Sequence, residues 1–246
     1  MRGFGTILNV LTIIIGSSLG LLLKGGLPKR FEKTLMSGVG LAVLIIGLTG
    51  TLPEMFTVSA DGTISSKNVM LMVLSVVIGA VGGETINIED KLEKLGMWFR
   101  KKALFLVKDN PKFVDGFVSA SLLFCVGAMA IVGSISDGLT GDFTTLAAKS
   151  VLDGVTSVVM SASLGGGVIV SAVVVGIYQG MITLLAALLQ SVLTDELISQ
   201  MTMVGSILIM GIGFNLLFDK KIVKVGNLLP AVLIPVFYQI ILNLIG

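Results

Sequence analysis

The sequence has no histidine, a single cysteine and few charged residues, and each shortage excludes a class of chemistry. Without histidine, the chain has no imidazole to bind a metal ion or relay a proton. The lone Cys125 cannot form a disulfide within the chain, and it lies in an apolar run, where cysteine packs as a small hydrophobic side chain. Only 13% of the residues are charged, against about 25% in soluble domains. We therefore expect neither a soluble globular domain nor a redox or zinc enzyme.

Long apolar runs are what the chain has instead. Hydrophobic residues make up 54% of the sequence, and the mean hydropathy is +1.01. A helix of about 20 apolar residues spans the hydrocarbon core of a bilayer. The sequence predicts an all-α membrane protein, a single transmembrane domain over residues 1–246 with eight spans, at residues 4–23, 34–52, 68–83, 113–133, 143–163, 168–189, 201–218 and 228–245.

The fifth predicted span differs from the others because it carries two charges, Lys149 and Asp153. A re-entrant or cavity-lining segment is the alternative for this stretch. Loop charge favours a full span, since lysine and arginine concentrate in the loops at residues 24–33, 91–112 and 220–224. Basic loops stay in the cytoplasm, and eight spans with both termini outside place all three there. We expect a multi-pass protein of a bacterial inner membrane.

The long third loop has an amphipathic pattern over residues 86–107, in which apolar and aromatic residues alternate with acidic and basic ones. This pattern predicts a helix lying at the cytoplasmic membrane interface. A helix that binds a partner is the alternative. At the N-terminus, Arg2 precedes an apolar run as in a signal peptide, but residues 24–28 do not form a small-x-small cleavage site, so we expect the first helix to be retained.

Glycines recur with the same spacing in two parts of the chain: Gly5, Gly16 and Gly20 are repeated as Gly165, Gly176 and Gly180. The second and seventh spans also match, at 36, 39, 40 and 44 against 201, 204, 205 and 209. Helices five apart in order run in opposite directions, so the match predicts an inverted-topology repeat, as in secondary transporters. Chance alignment of glycine-rich helices is the alternative. The predicted parts are repeat A at about 4–85, a central section at 86–164 and repeat B at about 165–246.

Asp153 is the most informative candidate for function. An ionisable group within a span costs several kcal/mol unless it is paired or faces a cavity. Lys149 lies one helical turn earlier, so the two charges can pair. Ser157 and Ser161 follow on the same helix face at steps of four residues. A carboxylate with a hydroxyl stripe can bind a cation or a polar solute; a structural ion pair with helix–helix hydrogen bonds is the alternative.

Further polar residues within apolar spans complete the predicted binding site. Tyr178 and Gln179 lie in the middle of the sixth span, and Asn9 lies in the first. Asp115 occupies the position in the fourth span that matches Asp153 in the fifth. Polar groups at this depth must find partners. No dinucleotide, phosphate-loop or metal-ligand motif occurs, so we expect no cofactor, no metal and no catalysis.

The middle of the chain resembles a known family. Its segments are Ser121-Leu-Leu-Phe-Cys-Val-Gly-Ala-Met-Ala-Ile-Val-Gly-Ser134, Asp137-Gly-Leu-Thr-Gly-Asp142, Lys149-Ser-Val-Leu-Asp-Gly154 and Tyr178-Gln-Gly180. In this order they are similar to the YqgA/YdfK-like family of uncharacterised bacterial inner-membrane proteins, and the resemblance extends to residues 3–20 and 227–230. It implies a transport protein of unknown substrate and carries over no site residues.

These observations predict a secondary transporter or facilitator that moves a small polar solute or ion past Asp153 by alternating access. An ion channel would use the same residues. A membrane sensor or scaffold without transport is the third alternative, with the basic segment 86–112 as its interaction surface. The expected partners are the lipid bilayer, the solute and a second copy in a homodimer. Small-xxx-small pairs such as Gly16/Gly20 favour close helix contacts, either within the chain or at a dimer face. No nucleic acid is expected.

Overall fold

The computed structural model describes residues 2–24, 29–59, 61–102, 112–125, 128–189 and 193–245. These residues are largely helical. The helices are α1 (Phe4–Lys24), α2 (Lys29–Met55), α3 (Val69–Ile86), α4 (Ile88–Lys102), α5 (Phe113–Cys125), α6 (Ala128–Thr140), α7 (Thr144–Leu164), α8 (Gly167–Leu184), α9 (Ala186–Leu189), α10 (Asp195–Phe218), α11 (Val225–Leu228) and α12 (Ile234–Ile245). A 3-10 helix over Leu229–Leu233 links α11 and α12. The strands β1 (Phe56–Val58) and β2 (Ile64–Ser66) pair in an antiparallel hairpin.

The described helices confirm an all-α membrane protein. Six stretches are long and apolar enough to cross a bilayer, and the pair α5 and α6 would make a seventh. The expected continuous fourth span at 113–133 is instead two helices with a 60° bend between them. Gly127 falls between them in the sequence, and glycine weakens a helix interior. Helix α7 has 21 residues but is less apolar than the six.

Two compact units make up the chain, and each combines residues from both halves of the sequence. Unit 1 comprises Met1–Val39 and Leu92–Val192, and unit 2 comprises Gly40–Lys91 and Leu193–Gly246. Unit 1 therefore holds α1 and α5 to α9, while unit 2 holds α3, α10, α11, α12 and the hairpin. The boundaries between the units fall within α2 and α4.

In unit 1, glycines allow the helix backbones to approach closely. A Cβ atom added at Gly16 would lie 2.3 Å from the Gly154 carbonyl oxygen, and one added at Gly20 would lie 2.2 Å from that of Val158, so α1 packs directly on α7. At Gly167, the same addition would meet the Phe113 carbonyl oxygen at 1.9 Å, which brings α8 against α5.

The turn between α7 and α8 is tight and depends on a glycine. Gly165 has φ +86° and ψ −159°, a conformation that side chains strongly disfavour. Its backbone N–H donates to the Ser161 carbonyl oxygen at 2.9 Å. The turn therefore fixes where α8 begins relative to the end of α7.

Unit 2 has the same type of packing. Gly40 and Gly213 make a reciprocal contact, because a Cβ atom added at either would lie 3.0 Å from the carbonyl oxygen of the other. Helix α3 packs through Gly79 on Ala231 and through Gly83 on the Asn227 carbonyl oxygen. After α11 the chain continues as the 3-10 helix that contains Pro230, because proline is disfavoured in the interior of an α-helix.

Hydrogen bonds and ion pairs of Glu84 and Glu89 hold α11 in unit 2. Glu89 Oε2 accepts from the Gly226 N–H, and Asn227 Oδ1 accepts from the Glu89 N–H at 2.7 Å. Lys221 pairs with Glu89, and Lys224 with Glu84 at 2.7 Å. These contacts satisfy backbone groups at the start of a short helix, so they serve the fold of unit 2.

The helices of unit 1 differ from those of a soluble protein in having apolar outer faces together with polar residues on their buried faces. The outer faces of its helices are apolar: Leu22 on α1, Val155 on α7 and Leu184 on α8 are 79%, 63% and 86% exposed. The buried faces carry polar residues such as Ser17 and Ser171, both with no exposed surface. This arrangement suits a surrounding of lipid, in which apolar groups face outward and polar groups find partners inside.

The hairpin and α4 lie in the predicted loops. The hairpin was not predicted, although Asp61-Gly62 is a turn signal and Gly62 has φ +83°. The Thr63 hydroxyl and N–H donate to Asp61 and hold the pKa of that carboxyl below its ordinary value. In the third loop, α4 is helical as the amphipathic pattern predicts, and its Trp98 is 53% exposed. The part of that segment at 103–111 lies outside the described residues.

Candidate functional site

A buried charge pair on α7 is the centre of the candidate site. Lys149 Nζ lies 2.5 Å from Asp153 Oδ2, one turn along the helix. The two residues are only 6% and 7% exposed. The outward face of the same helix is apolar, with Val151 and Leu152 64% and 59% exposed. Helix α7 thus directs its charges into unit 1 and its aliphatic side chains outward.

Two amide side chains, Asn9 on α1 and Gln179 on α8, lie beside this pair. Asn9 Nδ2 donates to Asp153 Oδ2 at 3.0 Å and to Gln179 Oε1 at 3.3 Å. Asn9 and Gln179 have no exposed surface. We call Asn9, Lys149, Asp153 and Gln179 the polar cluster; three helices of unit 1 contribute to it. A salt bridge in a place without water is stable only if its remaining hydrogen-bonding capacity is met, and Asn9 contributes one such bond.

The polar cluster has hydrogen-bonding capacity left over. Among the described residues, Asn9 Oδ1 and Gln179 Nε2 have no partner, although both are buried. The hydroxyls of Thr6 on α1 and Thr183 on α8 are buried and unpartnered in the same way. An unsatisfied buried polar atom costs about 1–3 kcal/mol, so several close together indicate a place for water or a ligand.

A cleft adjoins these unpartnered atoms. It has a volume of about 410 Å³ and is lined by Arg2, Gly3, Thr6, Ile7, Gly138, Gly180, Thr183 and Leu184. Thr6 lies three residues before Asn9, and Thr183 lies four residues after Gln179. Since an α-helix rises 1.5 Å per residue, the polar cluster lies about 4.5–6 Å along the helices from the cleft lining. The two threonines therefore lie one helical turn from the cluster, on the side of the cleft.

The remaining predicted site residues have different surroundings. The Ser157 hydroxyl donates to the Asp153 carbonyl oxygen at 2.6 Å, and the Ser161 hydroxyl donates to that of Gly165 at 3.3 Å. Both serines are fully buried and bond to the backbone of their own segment. Tyr178 is half-buried on α8 and precedes Gln179 in the chain. Asp115 is exposed in the first turn of α5 and does not join the cluster.

Cys125 links the bend of the fourth predicted span to the cluster. It is the last residue of α5, and its thiol is within electrostatic range of Lys149 and Asp153. Tyr178 is in turn within electrostatic range of Cys125. The end of α5 therefore lies near the charge pair.

Sequence analysis missed the carboxylate that holds the start of α1. Asp137 on α6 is fully buried and accepts hydrogen bonds from the N–H groups of Gly3 and Gly5, both at 3.0 Å. A carboxylate at a helix N-terminus satisfies free N–H groups and interacts favourably with the helix dipole. Arg2 donates to the Leu139 carbonyl oxygen at 3.1 Å. The available signal in the sequence was the position of Asp137 at the start of the segment Asp137-Gly-Leu-Thr-Gly-Asp142.

Comparison with known proteins gives the chain a family. A family described as "Protein of unknown function (DUF554)" matches residues 4–240. The chain is 35% identical over 246 residues to "Uncharacterized membrane protein YdfK" of Bacillus subtilis (strain 168), covering 99% of this chain and 98% of that protein. It is 30% identical over 237 residues to "Uncharacterized protein YqgA" of Escherichia coli (strain K12), covering 94% and 93%. No solved structure matches it. With nearly its whole length matched, the chain belongs to the DUF554 family, as its resemblance to YqgA and YdfK implies.

Proposed function

We propose that the protein is a secondary transporter or facilitator that moves a small polar solute or ion across a bacterial inner membrane. The observation that carries the proposal is the buried pair of Lys149 and Asp153, held by Asn9 within helices whose outer faces are apolar. A charge at this depth is expensive and usually marks a pathway. The proposal gives the protein no catalytic role.

A purely structural ion pair is the competing explanation, and the surroundings of the pair argue against it. A structural pair needs only enough hydrogen bonds to satisfy its own charges. Here two amides and two hydroxyls on α1 and α8 each leave one buried polar atom unpartnered by any residue that the structure describes. The cleft reaches two of the four residues, Thr6 and Thr183. Hydrogen-bonding atoms beyond those that the ion pair requires, next to the cleft, favour a binding site.

The proposed architecture has eight spans with both termini outside, which counts α7 as a span and α5 with α6 as a broken one. Support for α7 is its length of 21 residues, enough for a bilayer, and its apolar outer face. The proposed inverted repeat relates α1 to α8 and α2 to α10. Its support is the glycine spacing of α1, which recurs in the turn before α8 and in α8 itself. We also propose a homodimer.

An ion channel is the second candidate, because a permanent water path through the same residues would conduct without alternating access. Electrical recording separates the two: a carrier turns over too slowly to give single-channel currents. A sensor or scaffold built on α4 is the third. It requires no polar path through the membrane, so a protein-dependent solute flux argues against it.

The test is uptake by purified protein in proteoliposomes, with a panel of small polar solutes and ions. Asp153→Asn keeps the shape of the side chain and removes its charge. A buried hydrogen bond to a charged group contributes more than about 1.4 kcal/mol, which corresponds to a factor of ten. We therefore expect at least a tenfold loss of flux. Asp142→Asn is the matched control, because Asp142 is exposed between α6 and α7. Equal flux for Asp153→Asn and wild type would refute the proposal.

A further inference from the structure

We infer that the solute of this site is a small uncharged amide, which binds between Asn9 and Gln179 by presenting one hydrogen-bond acceptor and one donor. The inference rests on the proposed function and deepens it. It follows from which atoms of the polar cluster are already used and which are left.

The orientations of the two amides are fixed by the carboxylate. Ionised Asp153 can only accept hydrogen bonds, so the atom of Asn9 facing it must be Nδ2. The second hydrogen on Nδ2 points to Gln179, which must therefore accept through Oε1. Asn9 Oδ1 and Gln179 Nε2 are then left as one free acceptor and one free donor. A carboxamide has the complementary pair, a carbonyl oxygen for Gln179 and an N–H for Asn9.

The charges of the cluster argue against an ion. Lys149 and Asp153 lie 2.5 Å apart and neutralise each other, so the site has no net charge to offer. Of the described residues that line the cleft, Arg2 is the one with a charge. The Asp137 carboxylate accepts from the N–H of Gly3, which also lines the cleft, so the entrance has one charge of each sign and favours no ion. A neutral solute needs no net charge at either place.

The path from the cleft to the amides fits the same solute. Thr6 and Thr183 have unpartnered hydroxyls, each one helical turn from an amide of the cluster. Each hydroxyl can donate and accept. The four unpartnered atoms thus form two steps, first hydroxyls and then amides, with one residue of each kind on α1 and one on α8. A solute that enters from the cleft can replace its hydrogen bonds to the hydroxyls by hydrogen bonds to the amides as it moves inward.

The test measures flux of acetamide into proteoliposomes by stopped-flow light scattering, against protein-free vesicles of the same lipid. N,N-dimethylacetamide lacks the N–H donor, glycerol has hydroxyls only, and potassium chloride tests ions. We expect protein-dependent flux for acetamide and at least threefold less for each of the others. The threefold difference corresponds to the loss of about one neutral hydrogen bond.

Three variants locate the effect. Gln179→Met and Thr183→Val remove one polar group each at similar volume, and we expect each to lower acetamide flux by about three- to tenfold. Thr156→Val is the matched control, because Thr156 is half-buried and its hydroxyl makes an exposed hydrogen bond within α7 to the Leu152 carbonyl oxygen; we expect wild-type flux. Acetamide should also raise the melting temperature of wild type more than that of Gln179→Met, a readout that does not require transport.

The outcomes separate the two proposals. Faster flux of glycerol or potassium than of acetamide would overturn the amide inference and leave the proposed transport function standing. Equal acetamide flux in wild type and Gln179→Met would overturn it as well. If no solute of the panel crosses faster than through protein-free vesicles, both proposals are contradicted.

Discussion

The close contact of α1 with α7 allows a quantitative prediction for Gly16→Ala. The added methyl group would lie 2.3 Å from the Gly154 carbonyl oxygen, whereas carbon–oxygen contacts are about 3.3–3.6 Å. The helices must therefore separate by about 1 Å. That displacement takes Asn9 Nδ2, now 3.0 Å from Asp153, beyond hydrogen-bonding range. Gly16→Ala thus strains the packing and weakens the polar cluster at once.

The expected loss of stability is the sum of these two effects. Overpacking costs about 1–3 kcal/mol, and a hydrogen bond to a charged group contributes about 1.5–3 kcal/mol. We expect Gly16→Ala to destabilise the protein by about 3 kcal/mol or more, measured by reversible unfolding in bicelles. Gly180→Ala on α8 is the control, because a Cβ atom there meets nothing within 4 Å; alanine should be neutral or up to about 1 kcal/mol stabilising. Equal stability of the two variants would refute the close packing.

Three further predictions follow from other contacts. Lys149→Met should destabilise the protein by about 3–5 kcal/mol by unfolding assay, because Asp153 is left without its cation, whereas the double variant with Asp153→Leu should recover most of this loss. Gly83→Ala should destabilise unit 2, while the neighbouring Gly82→Ala, which has open space, should not; thermal unfolding compares them. The pKa of Asp142 is below its ordinary value of 3.8, because the side-chain hydroxyl and the N–H of the first residue of α7 donate to it. Its stabilisation is present at neutral pH and is lost as the pH falls below 3.8 and through the lowered pKa, so the difference in melting temperature between wild type and Asp142→Ala should shrink over that fall.

The spans could be predicted from the sequence because hydropathy acts locally. A run of apolar residues must be helical in lipid whatever its neighbours are, so most span boundaries agree with the helices within a few residues. The bend between α5 and α6 could not be predicted from hydropathy, since the run from 116 to 133 contains no charged residue on either side of the bend. Gly127 was the available signal, but a glycine in a membrane helix more often marks a close contact than a break.

The charge pair of the candidate site also has a local signal, the spacing of Lys149 and Asp153 by four residues. Their partners do not. That Asn9 and Gln179 meet at Asp153 depends on how α1 and α8 pack on α7, with sequence separations of 144 and 170 for the bonds of Asn9. Thr6 and Thr183 were missed for the same reason, because a threonine in an apolar helix usually bonds to its own backbone.

The central claim is that solute passes through the cleft to the polar cluster. Cysteine labelling tests this claim, because it shows whether a reagent reaches the cleft and whether blocking the cleft stops flux. The natural cysteine is removed by Cys125→Ser, and a new one is placed in the cleft by Gly180→Cys or on the outer face of α8 by Ile177→Cys, where the native side chain is 59% exposed. A charged, membrane-impermeant thiol reagent is applied to proteoliposomes. We predict rapid labelling and loss of protein-dependent flux for Gly180→Cys, and neither for Ile177→Cys. Full labelling of Gly180→Cys with unchanged flux, or labelling no faster than at 177, would contradict the account.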